Sequence, residues 1–330
     1  MLDIAYSASG QAEQGGIMIR RVSHNRNNMT SAPSQMQPEG RKKSANPIST
    51  VKEWAEMIKI EHTVFALPFA LSGMLLAVPH FPSWAVVFWT ILAFAGARSA
   101  AMTLNRVIDA GIDARNPRTS QRAIPAGRIT AAQAMIFAVA SFAIMLFAAA
   151  HLPPLCLWLS PIAIIWLSFY SYTKRFTWLC HFVLGIALGG GALGGWIASS
   201  GAITGIAPWL LALAVSTWVA GFDLLYACQD IQIDRQEKLH SLPARFGVKA
   251  ALDISVVLHV VTAAALAGVG FSLHLGIPYW IGMTVVCAML AYEHSLLSPT
   301  DLSKLNAAFF NINGIISILA FVSILVDKLI

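Results

Sequence analysis

The longest apolar stretches of this 330-residue chain constrain its fold more than any other feature of the sequence. Residues 135–150 and 207–220 contain no charged side chain, and charged residues make up only 12% of the whole chain. A soluble domain of this length would carry about 25%. Uninterrupted apolar stretches suit hydrocarbon as the surrounding solvent. The sequence therefore predicts a polytopic membrane protein in contact with membrane lipid.

Nine hydrophobic segments follow one another along the chain, each close to the roughly 20 residues that a helix needs to cross a bilayer. They must be helical, because hydrocarbon offers the backbone no hydrogen-bond partner outside its own segment. The prediction is an all-α fold with nine transmembrane helices, at about residues 62–79, 84–107, 131–151, 155–173, 178–199, 207–227, 250–272, 277–297 and 307–326.

The first 50 residues differ from the rest in composition. They are rich in Ser, Asn, Gln, Pro and Arg, and they hold too few large apolar residues to offset the entropy of ordering. We predict a disordered basic segment over residues 1–50, with a transit peptide as the alternative, followed by a transmembrane domain over residues 51–330.

The basic residues are sorted by loop. The connections near residues 80–83, 151–154, 200–208 and 274–278 contain no Lys or Arg, whereas the alternate connections and the N-terminal segment together hold 21 of the 22 basic residues. This sorting accounts for the net charge of +6 through the positive-inside rule, and it gives no reason to expect a nucleic-acid partner. We predict a multi-pass protein of the cell inner (plasma) membrane, with the basic loops in the cytoplasm.

Two acidic motifs lie at the ends of predicted spans on the basic side. The first has Asn105, Asp109 and Asp113 at i, i+4 and i+8, which stacks three oxygen-bearing side chains along one face of a helix. The second also falls on one helical face, with members at offsets of 0, 3, 7 and 11: Asp223, Tyr226, Asp230 and Asp234.

The chemistry of these motifs favours a metal site. Two facing carboxylate clusters repel each other unless cations lie between them. Hard oxygen ligands that leave positions open for phosphate oxygens suit Mg²⁺. The alternative is that the acids only pair with Arg106, Arg115 or Arg235 at the interface. Because both motifs lie at span ends on the same side, the sequence favours Mg²⁺.

Arg98 is unusual among the basic residues, because it lies inside an apolar span two helical turns from Asn105. A guanidinium in this position is costly unless it meets an anion or lines a wet cavity. Two partners remain open for it, the carboxylate of a bound substrate and the side chain of Asp109.

Taken together, the motifs resemble the paired signature of the UbiA family of intramembrane prenyltransferases. The resemblance consists of Asn-x-x-x-Asp-x-x-x-Asp at 105–113 and Asp-x-x-Tyr-x-x-x-Asp-x-x-x-Asp at 223–234, with a Tyr-x-x-x-Lys element at 170–174. The stretches 118–127 and 240–247 match as well, and the likeness covers about residues 54–326.

This resemblance implies a central cleft that opens to the cytoplasm, where two Mg²⁺ ions bridge the diphosphate of a polyprenyl donor. The implied metal ligands are Asn105, Asp109 and Asp113 for one ion and Asp230 and Asp234 for the other. The implied catalytic side chains are Asp109, Asp230 and Asp223, of which Asp223 would orient or deprotonate near the acceptor. The implied substrate-binding side chains are Arg98, Arg115, Tyr170, Lys174, Tyr226 and His62.

The subfamily that the chain resembles most transfers the polyprenyl group to 4-hydroxybenzoate in ubiquinone-type quinone synthesis. Related enzymes that prenylate a hydroxynaphthoate in menaquinone synthesis remain an alternative. His62 either binds the acceptor or anchors the first span at the interface. The chain departs from the family pattern at Arg106, where many members have Asp, and at Lys238, where Gly is usual.

A membrane transporter is the competing functional class, since intramembrane acids and Gly-rich helices also occur in transporters. A transporter would place its ionisable residues near mid-membrane, whereas these acids lie at span ends. The sequence therefore favours the enzyme, and the glycine-rich run at 189–195 is predicted to be a close helix-packing surface.

Overall fold

The computed structural model describes residues 47–59, 63–305 and 311–330. Side chains are described from residue 51 in the first range, from residue 66 in the second, and throughout the third. Within these residues the chain forms α-helices and no β-strand. The helices are α1 (Pro47–Met57), α2 (Thr63–Leu76), α3 (Trp84–Ile108), α4 (Ala110–Arg115), α5 (Ala131–Ala149), α6 (Pro154–Thr173), α7 (Cys180–Ser200), α8 (Ala207–Ala227), α9 (Ile231–Gln236), α10 (Leu242–Ser272), α11 (Ile277–Ser295) and α12 (Asn313–Leu329).

The all-α prediction is confirmed. Six helices in the described part of the chain are long and apolar enough to cross a membrane: α3, α5, α6, α7, α10, and α8 together with its continuation to Gln236. The remaining three predicted spans coincide with α2, α11 and α12, none of which, as described, combines the length and the apolar character of the other six. The count of nine transmembrane helices therefore stays a prediction.

Two of the sequence predictions fall outside what the structure describes. The predicted disordered segment covers residues 1–50, of which only the start of α1 at Pro47 is described. His62 lies in the gap between residues 59 and 63.

Glycines on α7 allow its neighbours to approach closely. A Cβ added at Gly189 would overlap the backbone of α8 at Ala212, and one added at Gly195 would overlap the backbone of α2 at Ala70. Helices in lipid gain most of their association energy from such van der Waals packing, which small residues permit. The predicted packing role of the 189–195 run is confirmed for these two glycines, whereas a Cβ at Gly190 would meet open space.

The segment after α9 is tied to the acidic motifs by Ser241. Its hydroxyl accepts the backbone N–H of Ala244 at 3.3 Å, which caps α10, and donates to the Asp234 carboxylate at 2.6 Å. Gly247, with φ of +86°, then kinks α10 in a conformation that L side chains rarely adopt. The matching stretch 240–247 thus shapes the chain directly behind the second motif.

Candidate active site

Each acidic motif contains a short interruption between a long helix and a short one, one residue long in the first motif and three in the second. Asp109 has φ −93° and ψ 3° and separates α3 from α4, which carries Asp113. Asp230 has φ −102° and ψ 6° at the end of a 3₁₀ turn (Cys228–Asp230), and it separates α8 from α9, which carries Asp234. The sequence predicted that each motif falls on one helical face, and the structure adds a break in the helix at each central aspartate. Short 3₁₀ stretches inside helices often mark functional positions.

The two motifs line one cavity of about 310 Å³. The cavity brings together most of the side chains that the sequence singles out: Arg98, Asn105, Asp109, Asp113, Tyr170, Lys174, Asp223, Tyr226, Asp230 and Asp234. Because residues from α3, α4, α6, α8 and α9 share this lining, motifs about 120 residues apart in the chain face a common space.

Four of the cavity's aspartates each form an ion pair with a basic side chain: Asp109, Asp113, Asp230 and Asp234. Arg175 Nη2 lies 2.9 Å from Asp109 Oδ1, and Arg122 Nη1 lies 2.7 Å from both oxygens of Asp113. In the second motif, the paired atoms are Arg118 Nη2 with Asp230 Oδ2 at 2.6 Å and Lys174 Nζ with Asp234 Oδ1 at 2.7 Å. Charge-assisted pairs of this kind are among the stronger hydrogen bonds in proteins.

The basic partners come from two short segments, and each segment serves both motifs. In the loop after α4, Arg122 binds Asp113 of the first motif and Arg118 binds Asp230 of the second. After α6, Arg175 binds Asp109 of the first motif and Lys174 binds Asp234 of the second. The two acidic motifs are therefore cross-linked through basic residues that belong to the same short segments.

The backbone fixes one of these segments against the 240–247 stretch. The N–H of His240 donates to the carbonyl of Lys174 at 2.7 Å. Burial lowers the pKa of Lys174, but nearby groups, chiefly the Asp234 carboxylate and then Asp230, together raise it by more, so the net shift is upward. Burial and hydrogen bonding to Asp230 oppose each other in the same way at Arg118, whose pKa is also raised. Both side chains therefore carry a full positive charge at neutral pH.

Two of the three alternative ion-pair partners named from the sequence, Arg115 and Arg235, lie outside the cavity lining. Arg115 forms a bidentate pair with Glu237, with Nε–Oε1 at 2.6 Å and Nη2–Oε2 at 2.5 Å, outside the cavity lining. The hydrogen bonds from Arg115 lower the pKa of the Glu237 carboxyl. Arg235 donates from Nε to the carbonyl of Ala244. The structure therefore places Arg115 outside the lining of this cavity, whereas Arg118 is part of that lining.

The donor set fits Mg²⁺ by its chemistry, since carboxylate and amide oxygens are the hard ligands that this ion prefers. Asn105 Nδ2 donates to Asp109 Oδ2 at 2.9 Å, which leaves the Asn105 amide oxygen available for a cation. Among the described residues, however, no three acidic, His or Cys side chains lie close enough to hold a metal ion as they stand. The basic partners hold the carboxylates apart, so a cation would have to displace them.

The part of the cavity beyond the carboxylates is largely apolar. Leu184 and Leu188 of α7 and Val219 and Phe222 of α8 line it, together with Met102 of α3. Two polar features interrupt this lining, the guanidinium of Arg98 and a contact between Asp223 and His181. The sequence analysis assigned no role to His181, because a lone histidine at the start of a span carries no spacing signal.

Arg106, which departs from the family pattern, is 7% exposed and lines the same cavity. Its position adds a positive charge at the first motif in place of a carboxylate. Lys238, the second departure, has φ of +55°. Glycine adopts this left-handed conformation without a steric cost, which accounts for the glycine that is usual at this position.

Comparison with known proteins agrees with this geometry. Residues 66–315 match the UbiA prenyltransferase family. The 4-hydroxybenzoate octaprenyltransferase of Vibrio parahaemolyticus is 29% identical over 262 residues, which cover 78% of this chain and 88% of that protein.

Solved structures of UbiA homologs are similar to this chain as well. The apo structure of a UbiA homolog from Aeropyrum pernix K1 has a TM-score of 0.74 and 33% identity, over 81% of this chain and 98% of that one. A UbiA homolog from Archaeoglobus fulgidus bound to DMAPP and Mg²⁺ has a TM-score of 0.69 at 20% identity, over 84% and 99% of the two chains, and shows the shared fold. The matched region contains both acidic motifs and their basic partners, and the chain is a multi-pass membrane enzyme that belongs to the UbiA prenyltransferase family.

Proposed function

We propose that this prenyltransferase transfers a polyprenyl group from polyprenyl diphosphate to 4-hydroxybenzoate, with Mg²⁺ as its cofactor, in ubiquinone-type quinone synthesis. The observation that carries this proposal is the cavity in which four carboxylates each pair with a basic side chain. A diphosphate with bound cations has the complementary pattern of charge.

The four ion pairs supply ligands for both components of a metal diphosphate. Asn105, Asp109, Asp113, Asp230 and Asp234 would hold the cations, and when bound the cations would stabilise the charge that develops on the leaving diphosphate. The basic partners released from the carboxylates would then be available to the phosphate oxygens, which suit Arg forks and Lys point charges. In this exchange the four carboxylates and their four basic partners each keep an oppositely charged partner before and after the donor binds.

The apolar part of the cavity suits the allylic carbocation that forms when the diphosphate leaves. Cleavage of the allylic C–O bond produces a carbocation that water would capture, and leucine and phenylalanine side chains exclude water from this space. Tyr170 and Tyr226 also line the cavity, and Tyr226 Oη accepts a hydrogen bond from Arg118 at 3.2 Å. Both tyrosines are therefore assigned to the donor.

Arg98 is assigned to the carboxylate of the acceptor. It lines the cavity about 10 Å along the helix from Asn105, at 1.5 Å per residue over seven residues. Asp109, its alternative partner, already has Asn105 on one oxygen and Arg175 on the other. A small aromatic acid could meet Arg98 with its carboxylate and the allylic cation with its ring.

The relatives support the same substrate class. The Vibrio protein is a 4-hydroxybenzoate octaprenyltransferase by name, and the Archaeoglobus homolog was solved with a prenyl diphosphate and Mg²⁺. From the positive-inside rule, we expect the basic segments and the cavity that they line to face the cytoplasmic side of the inner membrane. Cysteine labelling of loops 115–128 and 235–248 tests this orientation, because both should react from the cytoplasmic side and residues 200–205 from the opposite side.

The direct test is an assay of purified protein in lipid nanodiscs with Mg²⁺, radiolabelled polyprenyl diphosphate and one acceptor at a time. We expect prenylated 4-hydroxybenzoate and no product without the divalent cation. Product with a dihydroxynaphthoate alone would reassign the enzyme to menaquinone synthesis. Product with neither acid would contradict the proposal.

A further inference from the structure

A second cavity, with a volume of about 290 Å³, lies between α1 and the loop that follows α4. Five of its twelve lining residues are basic and two are acidic, so its charge favours an anion. The basic residues are Lys59, Arg106, Arg118, Arg122 and Arg128, and the acidic residues are Glu53 and Glu56. We call it the outer cavity, and the cavity of the acidic motifs the donor cavity.

Apolar contacts hold α1 against this loop. Met57 of α1 is 5% exposed and belongs to a buried cluster with Ala123 and Ile129 of the loop. The rings of Trp54 on α1 and Phe137 on α5 lie 4.8 Å apart. Because these contacts bury apolar surface, the outer cavity is part of the fold and does not depend on a ligand.

The outer cavity adjoins the donor cavity, and cations separate the two. Among the described residues, those that line both cavities are all basic: Lys59, Arg106, Arg118 and Arg122. Hydrocarbon that entered this partition would remove charged groups from water, which is costly. The polyprenyl chain is therefore excluded from the outer cavity. A phosphate group that has lost its chain meets the cations that suit it, Arg forks and Lys point charges.

Arg106 is the residue of this partition that points to a ligand. It is 7% exposed, and no hydrogen bond or ion pair joins its guanidinium to the residues that the structure describes. Its charge acts on the carboxylates of Asp113 and Asp109, but Arg122 already holds both oxygens of Asp113, and Arg175 holds Asp109. A buried guanidinium is costly unless an anion or a wet cavity lies beside it. The outer cavity has room for such an anion.

The side of the outer cavity formed by Arg128 and Glu53 reaches water. Arg128 Nε lies 3.5 Å from Glu53 Oε1, and the two side chains are 40% and 32% exposed. Neither residue lines the donor cavity. An exposed ion pair of this kind is weak, so Arg128 is available to an anion. The outer cavity therefore has a buried cation where it meets the donor cavity and an exposed cation where it meets water.

We infer that the outer cavity is a second phosphate site, which binds the diphosphate released by transfer through Arg106 and Arg128 before this product enters water. This inference rests on the proposed function, because the prenyl diphosphate donor is the source of the product. When the C–O bond breaks, the diphosphate gains negative charge and loses the chain that keeps the donor in apolar surroundings, and both changes favour the outer cavity. The carboxylates of Glu53 and Glu56 keep the affinity low enough for release. The headgroup of an anionic phospholipid has the same phosphate chemistry and is the other source to distinguish.

Binding of radiolabelled inorganic diphosphate to the whole protein tests this site. The protein is held in phosphatidylcholine nanodiscs with Mg²⁺, and saturating geranyl S-thiolodiphosphate, an unreactive donor analogue, occupies the donor cavity. We expect saturable binding of the label to persist under these conditions. Complete displacement of the label by the analogue would show a single shared site and overturn the inference.

Charge substitutions on the exposed side of the cavity should change the Kd of the label in opposite directions. Arg128→Gln should raise this Kd about tenfold, through the loss of one charge-assisted hydrogen bond. Glu53→Gln removes a repelling carboxylate and should lower it about threefold. Lys249→Gln is the matched control, because Lys249 forms an exposed pair with Asp253 outside both cavity linings, and its Kd should stay within about twofold of wild type.

Arg106→Gln tests the buried side of the site and should raise the Kd at least as much as Arg128→Gln. Circular dichroism checks its folding, and if it does not fold, the exposed Arg128→Gln variant still decides. An equal Kd in wild type and Arg128→Gln would overturn the site.

Competition with dihexanoyl phosphatidylglycerol, a soluble lipid, distinguishes the two sources of phosphate. We expect the labelled diphosphate to remain bound in its presence. Displacement by this lipid, with no displacement by the donor analogue, would assign the cavity to a lipid headgroup and overturn its role in product release. None of these outcomes affects the proposed function, which is contradicted instead if the wild-type enzyme prenylates no phenolic acid.

Discussion

The two acidic motifs have the same backbone layout and differ in what holds their carboxylates. In both, an aspartate with ψ near 0° separates a long helix from a six-residue helix that carries a buried aspartate. Asp234 is 1% exposed and has two partners, Lys174 and Ser241. Asp113 is 6% exposed and has the single guanidinium of Arg122 on its carboxylate.

This difference indicates which motif has its carboxylate positions fixed by the surrounding fold. Ser241 ties Asp234 to the start of α10, so the second motif is anchored by packing that does not depend on a ligand. The first motif is held through side chains that a bound diphosphate could attract, Arg122 and Arg175. We expect the first motif to rearrange more than the second when the donor binds.

The largest expected effect comes from removing one central carboxylate from either motif. Asp109→Asn and Asp230→Asn should each reduce kcat by about 1000-fold or more, because too little countercharge then remains for the cations and the leaving group. Turnover in nanodiscs measures this, with circular dichroism to check folding. If either variant kept most of its kcat, the two motifs would not act on one diphosphate.

The next effect distinguishes two nearby arginines. Arg118→Gln removes the partner of Asp230 and should lower kcat/KM for the donor by about 10- to 100-fold, as expected for a charged hydrogen bond worth about 1.5–3 kcal/mol. Arg115→Gln is the matched control, because Arg115 pairs with Glu237 outside the cavity. It should stay within about twofold of wild type. The reverse order would restore the diphosphate role that the sequence assigned to Arg115.

Arg98→Lys should act on the acceptor alone. Lysine keeps the charge but loses the bidentate fork, so the KM for 4-hydroxybenzoate should rise about tenfold while the donor KM stays constant. Steady-state kinetics with each substrate varied in turn measures the two constants. A rise confined to the donor KM or to the Mg²⁺ requirement would place Arg98 with the diphosphate.

The smallest effect concerns the turn after the second motif. Lys238 has φ of +55°, and Lys238→Gly should stabilise the protein by about 0.5–1 kcal/mol by removing the left-handed strain. Thermal unfolding in detergent would show a small rise in Tm without loss of activity. Lys249→Gly in the exposed first part of α10 should instead lower Tm, since glycine costs about 1 kcal/mol within a helix. A lower Tm for Lys238→Gly would contradict this account of the turn.

The motifs, the helical class and the glycine packing surface follow from local spacing and hydropathy, so the sequence was sufficient for them. The ion-pair pattern was not predictable in the same way. Arg115 is closer in sequence to Asp113 than Arg122 is, yet Arg122 forms the pair, because the loop after α4 turns back over the cavity. His181 was missed for a related reason, since its partner Asp223 is 42 residues away and only the packing of α7 on α8 joins them.

Cation binding tests most directly the central claim, that both motifs and their basic partners form one site for a metal diphosphate. Titration of Mn²⁺, followed by electron paramagnetic resonance, should show weak binding to the protein alone, because basic side chains hold the carboxylates. Geranyl S-thiolodiphosphate should tighten cation binding by at least about tenfold, and by linkage Mn²⁺ should tighten analogue binding equally. Both effects should disappear in Asp109→Asn and in Asp230→Asn. Tight cation binding at one motif that depends neither on the analogue nor on the other motif would contradict the claim.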